Sequence, residues 1–149
     1  MLFRSVGQLA YNPVKHTLDL ITRASGTSVS IPGLWRFDGR DWNQVPGVES
    51  LPVDGSPAIS YNPEQNTWVS FGGGSPSDES SLRSTQTYLF DGRKWTKLSP
   101  PTAPSSRAGS GMIYDPDLKL TLLWGGVANG HQFGDTWGWD GADWHLLAT

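Results

Sequence analysis

Two short motifs each occur three times in this sequence, in the same order and at nearly the same spacing. An Asp-Gly-x-x-Trp motif recurs at steps of 53 and 49 residues and ends at Trp42, Trp95 and Trp144. A Tyr-Asn-Pro or Tyr-Asp-Pro motif recurs at steps of 50 and 53 residues and begins at Tyr11, Tyr61 and Tyr114. Because two independent markers keep one order, we predict three repeats of about 50 residues, a period typical of solenoids and propellers.

Each repeat predicts four short strands and no helix. In the second repeat these are SPAISYNP, TWVSFGG, TYLFDG and KWTKL, segments rich in β-branched and aromatic residues. The Asp-Gly between the third and fourth strands is a strong signal for a two-residue hairpin. We therefore predict an all-β fold of three four-stranded antiparallel propeller blades, forming a single propeller unit over 1–149 with blades at approximately 4–53, 54–106 and 107–149.

Composition excludes several function classes. The net charge of −3, with 11 unclustered Lys and Arg residues, argues against a nucleic-acid partner. The absence of cysteine excludes disulfides, thiolate nucleophiles and Cys-based metal sites. The three histidines fall in different parts of the repeat, so neither a metal nor another cofactor is expected. With neither a signal peptide nor an apolar run of about 20 residues, we expect a cytoplasmic chain without membrane contact.

Several of the repeated residues resemble kelch repeats. They include the aromatic pair of the third strand, the Trp of the fourth strand, the Asp135-Thr136-Trp137 segment, and glycine pairs after the second strand at Gly72-Gly73 and Gly125-Gly126. The resemblance covers residues 4–147 and is most specific in the last two repeats. It implies a kelch-like β-propeller.

The first repeat departs from the kelch pattern. Thr22 and Arg23 stand where the later repeats have their glycine pair, and Asp19 stands where they have Val69 and Leu122. The second strand of this repeat is therefore the least certain predicted element.

Nine aromatic residues occupy three equivalent columns of the repeats, and we expect them to fill the spaces between neighbouring blades. They are Trp35, Phe37, Trp42, Tyr88, Phe90, Trp95, Trp137, Trp139 and Trp144. The alternative is a sugar-stacking role, as in tryptophan-rich propeller lectins.

Three blades leave two apolar faces open, whereas propellers typically close with 4 to 8 blades. The simplest closure is a homodimer of six blades, in which the third repeat of each chain packs on the first repeat of the other. On this prediction the partner covers the aromatic face of the last repeat. Three chains making nine blades, an open stack, and a natural or engineered part of a longer propeller are the alternatives.

The connections after the second and fourth strands are long and lie on one face, where binding residues usually reside. The candidate ligand-binding residues on this face and in the pore are Arg107, Arg4, Arg23, Arg83, His131 and Asp135. The planar guanidinium of Arg107 suits a carboxylate or polar ligand in the pore. Its alternative role is a structural bond between neighbouring blades.

These observations predict a non-enzymatic module, without catalytic residues, that assembles into a ring and binds a ligand or protein partner. The alternative is a carbohydrate-binding protein or a sugar-modifying kelch enzyme similar to sialic-acid epimerases. A protein similar to galactose oxidase is excluded, since its copper site requires a cysteine-linked tyrosine and this chain has no cysteine.

Overall fold

The described residues form three four-stranded antiparallel sheets that follow one another along the sequence, together with one two-stranded hairpin. The computed structural model describes residues 7–22, 33–53, 55–74 and 84–149. Sheet 1 contains β1 (Gly7–Asn12), β2 (Thr17–Thr22), β3 (Gly33–Phe37) and β4 (Trp42–Val45). Sheet 2 contains β5 (Ala58–Asn62), β6 (Thr67–Phe71), β7 (Thr87–Phe90) and β8 (Trp95–Leu98).

Sheet 3 is interrupted by a small hairpin. It begins with β9 (Gly111–Asp115) and β10 (Leu120–Trp124), which are followed by the separate hairpin β11 (Val127–Ala128) and β12 (His131–Gln132). It then continues with β13 (Thr136–Trp139) and β14 (Trp144–Ala148). Within each sheet the strands lie in chain order. The predicted all-β fold and its four-stranded antiparallel units are confirmed, and each sheet falls within one predicted repeat.

The Asn and Asp residues of the repeated motifs form turns of one kind. Asn62 Oδ1 accepts the backbone N–H groups of Glu64 and Gln65, and Asp91 Oδ1 accepts those of Arg93 and Lys94. The same pattern recurs at the equivalent positions Asn12, Asp38, Asp115 and Asp140. A short polar side chain is therefore required at each position, because it takes over hydrogen bonds that the turn backbone leaves unmade.

The Asp-Gly hairpins are longer than predicted. Phe90 pairs directly with Trp95, so the loop contains the four residues 91–94 rather than two. Gly92 adopts φ of 99° in this loop, and Gly39 and Gly141 have similar values in the other two. A positive φ at the second loop position explains why glycine follows the aspartate in all three repeats.

The three sheets stack on one another through opposite faces. We call the face that carries Trp42, Trp95 or Trp144 the front of its sheet, and the opposite face the back. The front of sheet 2 packs on the back of sheet 1, with Ala10, Ile21 and Leu34 on one side and Ile59, Tyr61, Trp68, Phe90 and Trp95 on the other. The front of sheet 3 packs on the back of sheet 2, with Leu123, Trp139 and Trp144 against Ala58, Val69 and Phe71. Sheet 2 therefore forms the centre of the molecule.

The second strand of the first repeat is regular despite its unusual residues. Asp19, which stands where the later repeats have Val69 and Leu122, is fully buried on the back of sheet 1. Arg36 lies directly opposite on β3 and donates two hydrogen bonds of 2.8 and 2.9 Å to this carboxylate. The ion pair supplies the partner that a buried charge needs, and so β2 forms without an apolar residue there.

Gly72 allows the segment before sheet 3 to lie close against sheet 2. A Cβ atom at Gly72 would lie 2.4 Å from the backbone oxygen of Arg107, and the neighbouring Gly73 donates its N–H to that oxygen at 3.1 Å. Gly72 also has φ of 74°. Both the close approach and the positive φ exclude side chains at this position.

We expect Gly72→Ala to lower the free energy of unfolding by about 3 kcal/mol, because a strained φ is combined with a clash against backbone. Gly92→Ala is the matched control, since its φ is also positive but nothing lies within 4 Å of the added Cβ; it should cost about 1 kcal/mol. Urea unfolding of both variants at one protein concentration measures the difference. Equal losses would show that the close approach has no energetic importance.

Candidate functional site

An apolar groove runs along the first strands of the three sheets. It has a volume of about 620 Å³ and runs past β1, β5 and β9. The Tyr and Pro residues of the three repeated turns line it, namely Tyr11, Pro13, Tyr61, Pro63, Tyr114 and Pro116. Among the described residues, none of those lining the groove carries a charge. A groove of this size and lining suits apolar or uncharged groups.

The groove includes polar groups at fixed positions. The hydroxyl of Tyr61 donates to Asn66 Oδ1, and the hydroxyl of Tyr11 lies 3.2 Å from His16 Nδ1. Ser60 also lines the groove. Burial raises the pKa of Tyr61 and of Tyr114 above the ordinary value of 10.0. Both tyrosines are therefore uncharged at physiological pH.

Arg107 does not line this groove. Its side chain is almost completely buried, its Nε donates to Ser105 O at 3.0 Å and its Nη1 to Gly125 O at 3.1 Å. The guanidinium also forms an ion pair with Asp135, with Nη2 2.9 Å from Oδ2, and lies 3.9 Å above the ring of Phe133. The pore-facing orientation predicted for Arg107 is therefore wrong, because these bonds hold its side chain against the loop that connects β10 to β13.

Asp135 is positioned by Arg107 and by its neighbour Trp137, whose indole Nε1 donates to Asp135 Oδ2 at 2.7 Å. The hydrogen bonds from Arg107 are the main reason that the pKa of Asp135 is held below its ordinary value of 3.8. The two candidate residues Arg107 and Asp135 are thus brought together as a structural ion pair.

The remaining candidate residues are not brought together. His131 is exposed on β12, 4.8 Å from the ring of Phe133 between centroids. Arg4, Arg23 and Arg83 lie outside the described residues. The hairpin that carries His131 was missed in the sequence, although Asn129-Gly130, both with positive φ, is a signal for such a turn.

Six of the nine column aromatics lie between sheets. Trp139 and Trp144 are 0 % and 1 % exposed, and they pack on sheet 2 of their own chain. The expectation that a partner covers the aromatic face of the last repeat is therefore wrong, since sheet 2 already covers it. The sequence does not show whether the aromatic face of a repeat packs on the preceding repeat or on the following one. Alternation of side chains along a strand defines two faces but not the neighbour of each face.

Two sheet faces have no sheet packed on them within the part of the chain that the structure describes. One is the front of sheet 1, where Leu9 and Tyr11 are 54 % and 55 % exposed and Trp42 is half-buried. The other is the back of sheet 3, where Ile113 and Trp124 are 67 % and 62 % exposed. Exposed apolar patches of this kind mark interaction surfaces.

Neither a membrane helix nor a metal site occurs in residues 7–22, 33–53, 55–74 and 84–149. No helix in these residues is long and apolar enough to cross a membrane. They also bring together no group of three His, Asp or Glu residues. Comparison with protein-family models gives no match, and comparison with curated proteins finds no significant similarity.

We expect Asp135→Asn to lower the free energy of unfolding by about 3 kcal/mol at pH 7, because it leaves the buried Arg107 charge unpaired. A lowered folded-state pKa stabilises the fold above the unfolded value of 3.8, and this contribution is lost as the pH falls through the folded-state pKa. The difference in free energy of unfolding between wild type and variant should therefore decrease below about pH 4, in urea unfolding measured from pH 7 to pH 2.

Asp115→Asn is the matched control, because the first two repeats have Asn12 and Asn62 at this position. It should change the free energy of unfolding by less than about 0.5 kcal/mol. A gap for Asp135→Asn that stays constant down to pH 2 would contradict the assigned ion pair.

Proposed function

We propose that this chain is a kelch-like half-propeller that pairs with a second copy of itself to form a six-bladed ring. In this proposal the chain is a non-enzymatic recognition module. The observation that carries the proposal is the pair of uncovered faces, which correspond to the two faces that pack together inside the chain.

The two internal interfaces support head-to-tail pairing. At each of them, a front rich in aromatic rings packs on a back rich in aliphatic side chains. Among the residues that the structure describes, the faces without a neighbouring sheet are one front, on sheet 1, and one back, on sheet 3. A second copy related by a two-fold axis would supply the missing neighbour to both, and the ring would close.

Equivalent positions differ in burial in the way that this pairing requires. Ile59 and Tyr61 are buried on the front of sheet 2, whereas their equivalents Leu9 and Tyr11 are exposed on sheet 1. Val69 is fully buried on the back of sheet 2, whereas its equivalent Leu122 is half-exposed on sheet 3. Pairing would remove this apolar surface from water, which would stabilise the dimer by roughly 25 cal/mol for each Å² of apolar surface that is buried.

The groove favours an uncharged ligand or an apolar peptide segment as the recognised group. In the ring, the grooves of the two copies would face each other across the axis. The carbohydrate-directed alternative stays a prediction, since the polar side chains among the residues that line the groove are those of the three tyrosines and Ser60.

Sedimentation velocity across a concentration series, together with small-angle scattering, tests the assembly. We expect a species of about 32 kDa, twice the chain mass of 16.2 kDa, with the scattering profile of a disc. A monomer at all concentrations would contradict the proposal, as would a mass that keeps increasing with concentration, because the latter indicates an open stack.

We expect Trp124→Asp to weaken the dimer at least roughly 100-fold, because it places a charge at the centre of a buried apolar face. The side chain is exposed in one chain, so folding should be unaffected. Leu118→Lys is the control, since Leu118 is similarly exposed but lies in the turn between β9 and β10, outside the groove lining, where the first repeat has Lys15. Sedimentation at matched concentrations distinguishes them, and a dimeric Trp124→Asp would refute the back of sheet 3 as an interface.

A further inference from the structure

The interface between sheets 2 and 3 contains a buried hydrogen bond between tryptophan and threonine. Trp144, on the front of sheet 3, donates its indole Nε1 to Thr87 Oγ1 on the back of sheet 2 at 2.9 Å. Its ring also packs edge-on against Phe71, with 5.2 Å between centroids. Phe71 and Thr87 are directly opposite each other on β6 and β7. This pair of neighbouring residues therefore forms a receptor for one tryptophan.

The back of sheet 3 carries the same receptor without an occupant in the described chain. The repeat places Trp124 at the position of Phe71 and Thr136 at the position of Thr87, and these two residues are again directly opposite, on β10 and β13. Trp124 is exposed and Thr136 is half-buried. An aromatic ring beside a hydroxyl acceptor is thus available on an open face.

The front of sheet 1 carries the matching tryptophan. Trp42 is the equivalent of Trp144 and contacts Phe37 with 5.3 Å between centroids and 41° between ring planes. Trp144 contacts Trp139 with 5.3 Å and 47°. The ring of Trp42 therefore lies against its neighbouring ring at a distance and an angle close to those of Trp144 at the internal interface.

We propose that Trp42 of one copy inserts between Trp124 and Thr136 of a second copy and donates its indole N–H to Thr136 Oγ1. This inference rests on the proposed function and names the contact that would join the two chains. The two-fold ring contains this contact twice. Each chain supplies the tryptophan at one interface and the receptor at the other.

The receptor distinguishes the closing interface from the one between sheets 1 and 2. There the position of Thr87 is occupied by Leu34, which has no side-chain acceptor. Trp95, the equivalent of Trp144, has no partner for its Nε1 among the residues that the structure describes. The back of sheet 3 would thus offer the indole N–H of Trp42 an acceptor of the kind that Thr87 provides for Trp144 and that Trp95 lacks.

Sedimentation equilibrium of a double-mutant cycle at Trp42 and Thr136 tests the contact. We expect Thr136→Val to raise the dimer dissociation constant roughly 30-fold, the factor for two lost buried hydrogen bonds. Thr136→Ser keeps the acceptor and should bind within a few-fold of wild type. Adding Thr136→Val to Trp42→Phe should cause little further weakening, because the bond is already lost.

Thr87→Val is the matched internal control. It removes the same bond inside one chain, so it should lower the thermal midpoint and leave the dissociation constant unchanged. A dimer whose dissociation constant is unchanged by Thr136→Val, or in which the two substitutions are additive, would overturn this contact and leave the ring intact. A wild-type chain that stays monomeric would overturn both.

Discussion

Each of the three sheets carries apolar side chains on both faces, and this need for two neighbours organises the rest of the molecule. Sheet 2 meets it within the chain, since its front packs on sheet 1 and its back on sheet 3. Sheets 1 and 3 each have a neighbouring sheet on only one face, as far as the described residues extend. Because a single sheet cannot bury two faces alone, the stability of every repeat depends on the repeat beside it.

Much of the fold was predictable because each repeat has characteristic residues at its turns. The Asn and Asp residues and the glycines of the Asp-Gly turns are required by hydrogen bonding and by positive φ. They therefore recur in all three repeats, whereas the residues at apolar positions vary. The loop length was not predictable, since Asp-Gly is compatible with both two-residue and four-residue hairpins. The Asp19–Arg36 pair was also missed, although opposite charges facing each other on β2 and β3 are visible once the register is known.

The candidate site shows the limits of sequence reasoning more clearly. Arg107 was predicted as a ligand-binding residue, yet its side chain bonds to Ser105, Gly125 and Asp135. Gly125 and Asp135 lie 18 and 28 residues away in the sequence, and only the folded loop brings them to Arg107. The groove was not predicted at all. It is lined by the tyrosine and proline residues of the repeated turns. In the sequence these residues indicate turns, and nothing there shows that they also form one surface.

The central position of sheet 2 has a consequence for the order in which backbone amides open to solvent. Its strands have covered faces on both sides, so their amides should exchange with deuterium only through unfolding of most of the chain. In the described part of the chain, sheets 1 and 3 each have one face without a neighbouring sheet, so they can detach with less loss of packing. Amide exchange would therefore be slowest in sheet 2, in the middle of the sequence, and faster toward both ends. If the outer faces were occupied, this difference in exchange rate would be smaller.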